Sequence, residues 1–292
     1  MALTGKGTVM FLTPQQYFAA RRLSPRKRFG QHFLSQAATA ERIVESARLS
    51  SDDVVVEVGP GLGALTRFLL PRVHRLHLVE IDRDLCEYLA EAIGPTQPHV
   101  TIHPRDVLGF DFHRLAEEED RRLVVIGNLP YNISSPLLFH LLESRSVIHS
   151  LVAMVQKEVG MRWTAAPASR DYGVLPVLLG VFAQAHRLFD VGPGQFYPHP
   201  KVDSVVVSIR FESPWRDPLP SFDRLRGLLN AAFQKRRKTL KNSLKGFSGI
   251  DESLLQSCFS RARIDGSRRP ETLSAEEFIR LSHALESRVG LG

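Results

Sequence analysis

Cysteine is nearly absent from this sequence: Cys86 and Cys258 are the only two in 292 residues, far apart and outside any Cys-x-x-Cys or Cys/His spacing. A disulfide framework and a zinc ribbon are excluded, no metal is expected, and a reducing, cytoplasmic compartment is. Long apolar runs are lacking too. The longest, residues 174–183, is interrupted by Pro176 and is too short to span a bilayer, so no membrane partner is expected. Acidic residues are missing from residues 1–28, which carry Lys6, Arg21, Arg22, Arg26, Lys27 and Arg28. Three readings compete for that stretch: a flexible arm, a nucleic-acid contact, or an Arg-rich transit peptide; it has no unbroken apolar core of the kind a secretory signal requires. We read residues 1–24 as a flexible N-terminal arm, with the Arg26-Lys27-Arg28 end available to phosphate. Internal repeats and low-complexity segments are also missing.

What remains is ordinary globular material with a basic bias. The hydrophobic fraction is 43% and the net charge is +7, with a pI near 9.7. The length accommodates one large α/β domain plus a smaller one, and the charge points to a polyanionic partner.

Four apolar runs carry the organisation. Val54-Val55-Val56-Glu57-Val58 reads as a buried strand and runs into Gly59-Pro60-Gly61-Leu62-Gly63-Ala64, a glycine-rich turn that opens a helix at Leu65. Gly59 and Gly61 with Ala64 satisfy the dinucleotide pattern G-x-G-x-x-G/A. The same glycines with Gly63 and the preceding Glu57 also satisfy the turn of proteins that bind S-adenosylmethionine. The second run, Leu76-His77-Leu78-Val79, ends in Glu80-Ile81-Asp82. Glu80 can accept both hydroxyls of an adenosine ribose, or it can cap the next helix. The third, Val100-Thr101-Ile102-His103, leads to Asp106, placed to accept from an adenine amine.

The fourth run, Leu123-Val124-Val125-Ile126-Gly127, delivers Asn128-Leu129-Pro130-Tyr131 to the same sheet edge. An exocyclic amine on a base is a poor nucleophile because its lone pair is delocalised into the ring. An Asn side-chain carbonyl and a backbone carbonyl beside Pro130 can hold its two N–H bonds and pull the nitrogen toward tetrahedral geometry, while Tyr131 stacks on the base. The alternative is a strand ending in a Pro turn, with Asn128 as a local cap. A dehydrogenase has no evident use for this group, so the conjunction of four strand ends favours methyl transfer.

Downstream, Gly194-Gln195-Phe196-Tyr197-Pro198-His199-Pro200-Lys201 is a stiff aromatic loop. Phe196 is read as a second wall of the base pocket, stacking opposite Tyr131, against the alternative of a core side chain in a hairpin crossover. Pro214, Pro218 and Pro220 mark a linker. Helical spacing follows over residues 222–233, 251–260 and 274–285, with Ser274 and Glu277 as a capping-box pair. Lys235-Arg236-Arg237-Lys238, extended by Lys241 and Lys245, is read as a phosphate clamp for RNA rather than a solvated face.

Taken together, residues 26–285 resemble the ribosomal RNA adenine N6,N6-dimethyltransferases of the bacterial small-subunit type. The resemblance rests on Phe29-Gly30-Gln31-His32-Phe33-Leu34, Glu57 to Gly61, Glu80-Ile81-Asp82, Asn128 to Asn132, Phe196 to Ser204, and Phe233 to Leu240, in that order. It implies an α/β fold, with a Rossmann-like S-adenosylmethionine-dependent methyltransferase sheet over residues 25–213, a linker at 214–221 and a smaller helical rRNA-binding domain at 222–292. It implies two adjacent dimethyladenosines made near the 3′ end of 16S rRNA, in the small subunit or its precursor, by a monomer. His32 and Leu34 would border the methionine end of the cofactor, Gly59 its approach at the turn, Glu80 the ribose and Asp106 the adenine. Asn128 and Pro130 would hold the target amine and Tyr131 would stack on it. Transfer would run in line from the sulfonium carbon to N6, twice, with no covalent enzyme intermediate. Alternatives are the related 23S rRNA adenine methyltransferases of macrolide resistance, which to our reading lack the block at residues 233–240, and a ribosome-assembly or transcription factor retaining the fold.

Overall fold

The computed structural model describes residues 11–26, 31–94, 97–216, 218–235 and 237–289. Lys6, Lys27, Arg28, Phe29, Gly30 and Arg236 lie outside them. The described chain divides into two compact units, residues 1–160 with 186–211, and residues 161–185 with 212–292.

The first unit opens with α1 (Pro14–Arg21), then β1 (Phe33–Leu34), α2 (Ala37–Ser46), β2 (Val54–Val58), α3 (Thr66–Leu69), β3 (Arg75–Glu80), α4 (Arg83–Ile93) and β4 (Val100–Pro104). It continues through α5 (Phe112–Glu119), β5 (Leu123–Asn128), α6 (Ser134–Glu143) and β6 (Ile148–Gln156). The chain leaves along α7 (Lys157–Trp163), forms α8 (Val174–Phe182), and returns as β7 (Gln184–Val191), β8 (Phe196–Tyr197) and β9 (Ser204–Arg210).

Seven strands form one sheet in the order β4-β3-β2-β5-β6-β9-β7. β4, β3, β2, β5 and β6 pair in parallel, and β9 lies antiparallel on β6. The central parallel strands β2 and β5 are buried and mostly apolar because both faces are covered; Val54, Val55, Val56 and Val58 are all essentially inaccessible. A dinucleotide-binding sheet runs parallel in the order 3-2-1-4-5-6. Insertion of antiparallel β9 between β6 and β7 therefore resolves the ambiguity of the glycine turn against a dehydrogenase. Strand order reverses between β2 and β5, and ligands of open α/β sheets bind outside the carboxyl ends at such a point.

The amino-terminal segment is not an arm throughout. Thr13 and Gln16 form a capping box, Pro14 occupies the first helical position, and α1 buries Tyr17 and Phe18. Phe18 meets Phe33 edge to face at 5.4 Å, and Tyr17 meets Tyr88 of α4 at 5.0 Å. The Arg26 end is also engaged: its guanidinium bridges Asp82 at 2.6 Å and Asp84 at 2.5 Å, so it is not a spare phosphate ligand.

In the second unit α8 is joined by α9 (Phe222–Phe233), α10 (Leu240–Leu244), α11 (Glu252–Ala262) and α12 (Ala275–Val289). Pro176 is harmless because it sits in the first turn of α8, where no intrahelical donor is needed. Residues 161–185 fall in this unit although the linear reading put them within 25–213. The reason is α8, whose buried apolar face packs Phe182 against Phe222 at 5.6 Å and brings Gly180 against Ala275. At the start of α12, Ser274 and Glu277 exchange hydrogen bonds of 2.8 and 3.2 Å, the capping box expected from their spacing.

Candidate active site

The register of the sheet assembles the site. Val58 lies opposite Val79 on one side and Gly127 on the other, so Gly59, Glu80 and Asn128 leave the sheet at one level. Gly59 and Gly61 take φ of +63° and +57°, a left-handed conformation that a side chain would strain. A Cβ at Gly61 would also come within 3.2 Å of the Phe33 ring. The turn is thus shaped to bring backbone, not side chains, to the cavity.

Glu80 is 6% exposed, with Oε2 accepting the Gly61 N–H at 3.2 Å and Oε1 the Asp82 N–H at 3.0 Å. Burial raises its pKa, against the two N–H groups that favour the carboxylate. Each oxygen keeps a further lone pair for a ligand hydroxyl. Asp82 does cap α4, through the Asp84 N–H at 3.2 Å; Glu80 does not. Asp106 uses Oδ1 to accept from Leu108 at 2.9 Å and is exposed.

Asn128 donates from Nδ2 to the His32 carbonyl at 2.9 Å. A carbonyl can only accept, so this contact fixes the amide orientation and leaves Oδ1 without a hydrogen bond among the described residues. The carbonyl of Pro130 is occupied, accepting from Ile133 N–H at 3.2 Å and Ser134 Oγ at 3.1 Å. That of Leu129 accepts nothing among the described residues. The carbonyl left open beside Pro130 among the described residues is therefore that of Leu129. Tyr131 is half-buried, which raises its pKa, and its hydroxyl lies 3.4 Å from Ser204 Oγ.

These residues enclose a cavity of about 210 Å³ lined by His32, Leu34, Gly59, Gly61, Glu80, Asp106, Asn128, Pro130 and Tyr131. Phe196 is not among them. It is 1% exposed, paired across β8 with Leu34 and packed in the core, so the hairpin-crossover alternative describes it. The ring that lies against Tyr131 is that of His32, 5.4 Å away at 27°. Lys235, Arg237 and Lys238 belong to the second unit; all three are exposed and none has an ion pair among the described residues. Lys241 is held by Glu252 at 2.6 Å.

Three groups at the site take a place that the sequence reading did not assign to them. Glu57 lies fully buried at the cavity floor, where desolvation pushes its pKa up to about 8, and Thr66 Oγ1 donates to it at 2.7 Å. Burial thus favours its neutral form, which adds no second negative charge beside Glu80. Gln31 donates to Asp82 at 2.9 Å and accepts from the Arg26 N–H at 2.8 Å, tying the β1 wall to the end of β3. The third is the Leu129 carbonyl, expected only as an unspecified backbone acceptor beside Pro130.

The donor set matches S-adenosylmethionine: a carboxylate for a ribose diol, an acceptor for an adenine amine, and a glycine turn without side chains between them. An amide oxygen and a peptide carbonyl beside a tyrosine match an aminated base. Fold and site together define a Rossmann-like methyltransferase dependent on S-adenosylmethionine. The chain belongs to the ribosomal RNA adenine dimethylase family, whose model matches residues 22–287. It is 47% identical over 261 residues to the ribosomal RNA small subunit methyltransferase A of Laribacter hongkongensis, covering 89% of this chain and 95% of that one. Identity to the enzyme of the same name from Nitrosococcus oceani is 43% over 257 residues, 88% of this chain and 94% of that one. A dimethyladenosine transferase from Plasmodium falciparum superposes with a TM-score of 0.75 at 23% identity over 88% of this chain and 98% of that one, and shares the fold. The 23S rRNA methyltransferase ErmE gives 0.66 at 25% identity, over 87% of this chain and 99% of that one.

Proposed function

We propose that this enzyme converts two adjacent adenosines near the 3′ end of 16S rRNA to N6,N6-dimethyladenosine, acting as a cytoplasmic monomer on the small subunit or its assembly precursor. The small-subunit target follows the name of its relatives. The observation that carries the reading is the fixed Asn128 amide, whose Oδ1, like the Leu129 carbonyl, has no hydrogen bond among the described residues.

S-adenosylmethionine would be held by Gly59, Gly61, Glu80 and Asp106, with His32 and Leu34 at its methionine end, and it would supply an electrophilic methyl group. Asn128 Oδ1 and the Leu129 carbonyl accept the two N–H bonds of the target amine, which localises the nitrogen lone pair. Tyr131 stacks on the base. An adenine in a helix must first be flipped out, a cost of a few kcal/mol that stacking at about 1–3 kcal/mol per base largely offsets. Pro130 holds the turn that carries the acceptors. Lys235, Arg236, Arg237 and Lys238 in residues 222–292 bind RNA phosphates.

The test is methyl incorporation into unmethylated small subunits and into naked rRNA. Transfer to the particle supports the reading, and transfer to 23S rRNA alone overturns it.

A further inference from the structure

Building on that reading, we propose that His32 is a positioning residue for the acceptor adenine rather than only a wall of the cofactor site. Three contacts converge on it. Its carbonyl accepts the Asn128 Nδ2–H at 2.9 Å and so decides which way the catalytic amide points. Its Nδ1 lies 2.8 Å from the Pro198 carbonyl, which can only accept, so Nδ1 carries the hydrogen. Its ring stacks on Tyr131 at 5.4 Å and 27°, the face-to-face contact that Phe196 does not make.

His32 also sits at the end of the two-strand ladder in which Phe33 pairs with Tyr197 and Leu34 with Phe196. The aromatic loop and the segment bordering the cofactor are thereby one hydrogen-bonded piece, held to Asn128 by the His32 carbonyl and to Tyr131 and Pro198 by its imidazole. A gap of 5.4 Å between centroids admits no base between the two rings. The adenine therefore uses the remaining Tyr131 surface, and the imidazole sets the angle at which that surface is presented. Methyl transfer is sensitive to such angles, because misplacement of about 1 Å costs on the order of a hundredfold. The second transfer is more demanding than the first, since the monomethylated amine has only one N–H left to be held.

The experiment compares wild type, His32→Ala, His32→Asn and His32→Phe on unmethylated small subunits. It reads kcat, S-adenosylmethionine affinity, melting temperature and the ratio of monomethyl- to dimethyladenosine. An Asn amide can reproduce the hydrogen bond to Pro198, and a Phe ring cannot. The expected result is a kcat lowered about tenfold in His32→Ala with accumulation of monomethyladenosine, cofactor affinity within about threefold of wild type, recovery in His32→Asn and none in His32→Phe. Loss of cofactor affinity at unchanged kcat, a normal product ratio in His32→Ala, or equal melting losses in all three variants with no rescue overturns the inference. A wild-type chain that binds cofactor but methylates no adenine overturns the proposed function and this inference with it. An active wild type with an indifferent His32→Ala overturns this inference alone.

Discussion

Glu80 and Gly61 come from different strand ends, yet the Glu80 carboxylate accepts the Gly61 N–H at 3.2 Å. The acid that would hold the ribose thus also holds the turn that would receive the rest of the ligand. Replacing Glu80 with Ala should weaken S-adenosylmethionine binding by about 1.5–3 kcal/mol, the worth of charge-assisted hydrogen bonds, and calorimetry reads the loss directly. Unchanged affinity would leave Glu80 as a brace for the turn alone.

Asn128→Ala should abolish turnover with cofactor affinity within a few fold, because the missing acceptor works on the amine in the transition state. Near-normal single-turnover rates would remove Asn128 from the chemistry.

Glu57 makes stability depend on pH. Its folded pKa of about 8 stands above the ordinary glutamate value of 4.5, so between these values the native state keeps a proton that the unfolded chain has lost. The stability of the neutral form is complete below about pH 4.5 and declines as pH rises toward 8, at up to about 1.4 kcal/mol per unit. Glu57→Gln should flatten that decline in urea melts at pH 5, 6.5 and 8. An equal slope in wild type and variant would contradict the assignment.

Tyr17 tests whether the amino-terminal segment is structural. Its ring is 1% exposed, and its hydroxyl has no hydrogen-bond partner among the described residues. Tyr17→Ala should cost about 3 kcal/mol, and Tyr17→Phe should be neutral or stabilising by about 1 kcal/mol. Denaturation showing no effect of Tyr17→Ala would return the segment to a flexible arm.

The basic cluster acts through counterion release if it contacts phosphate. Arg237→Ala with Lys238→Ala should make log K against log salt shallower by about 0.7–0.9 per lost contact while cofactor affinity stays the same. An unchanged salt slope would make the cluster a solvated surface.

The parts of the site that were legible in the sequence are those written in strand ends. Apolar runs bounded by Gly59, Glu80, Asp106 and Asn128 announce a parallel sheet, and parallel register then aligns their last residues without further information. Phe196 was misread because β1 and β8 are two residues each, too short for any periodicity to show that its ring turns inward. The helix α1 is written in Thr13-Pro14-Gln15-Gln16, a capping box with proline at the first helical position, whereas the basic charge of residues 1–28 carries no sign of the buried Tyr17 and Phe18. Which carbonyl beside Pro130 stays open is not written in the sequence, since a backbone acceptor has no letter of its own. Only the hydrogen bonds occupying Pro130 single it out.

The most direct measurement is mass spectrometry of nucleosides from small subunits lacking the modification, after incubation with the enzyme and S-adenosylmethionine. The account predicts two N6,N6-dimethyladenosines per particle, on neighbouring residues near the 3′ end of 16S rRNA, and none with Asn128→Ala. Methyl groups on another base or position, or dimethyladenosine formed equally well by Asn128→Ala, would contradict it.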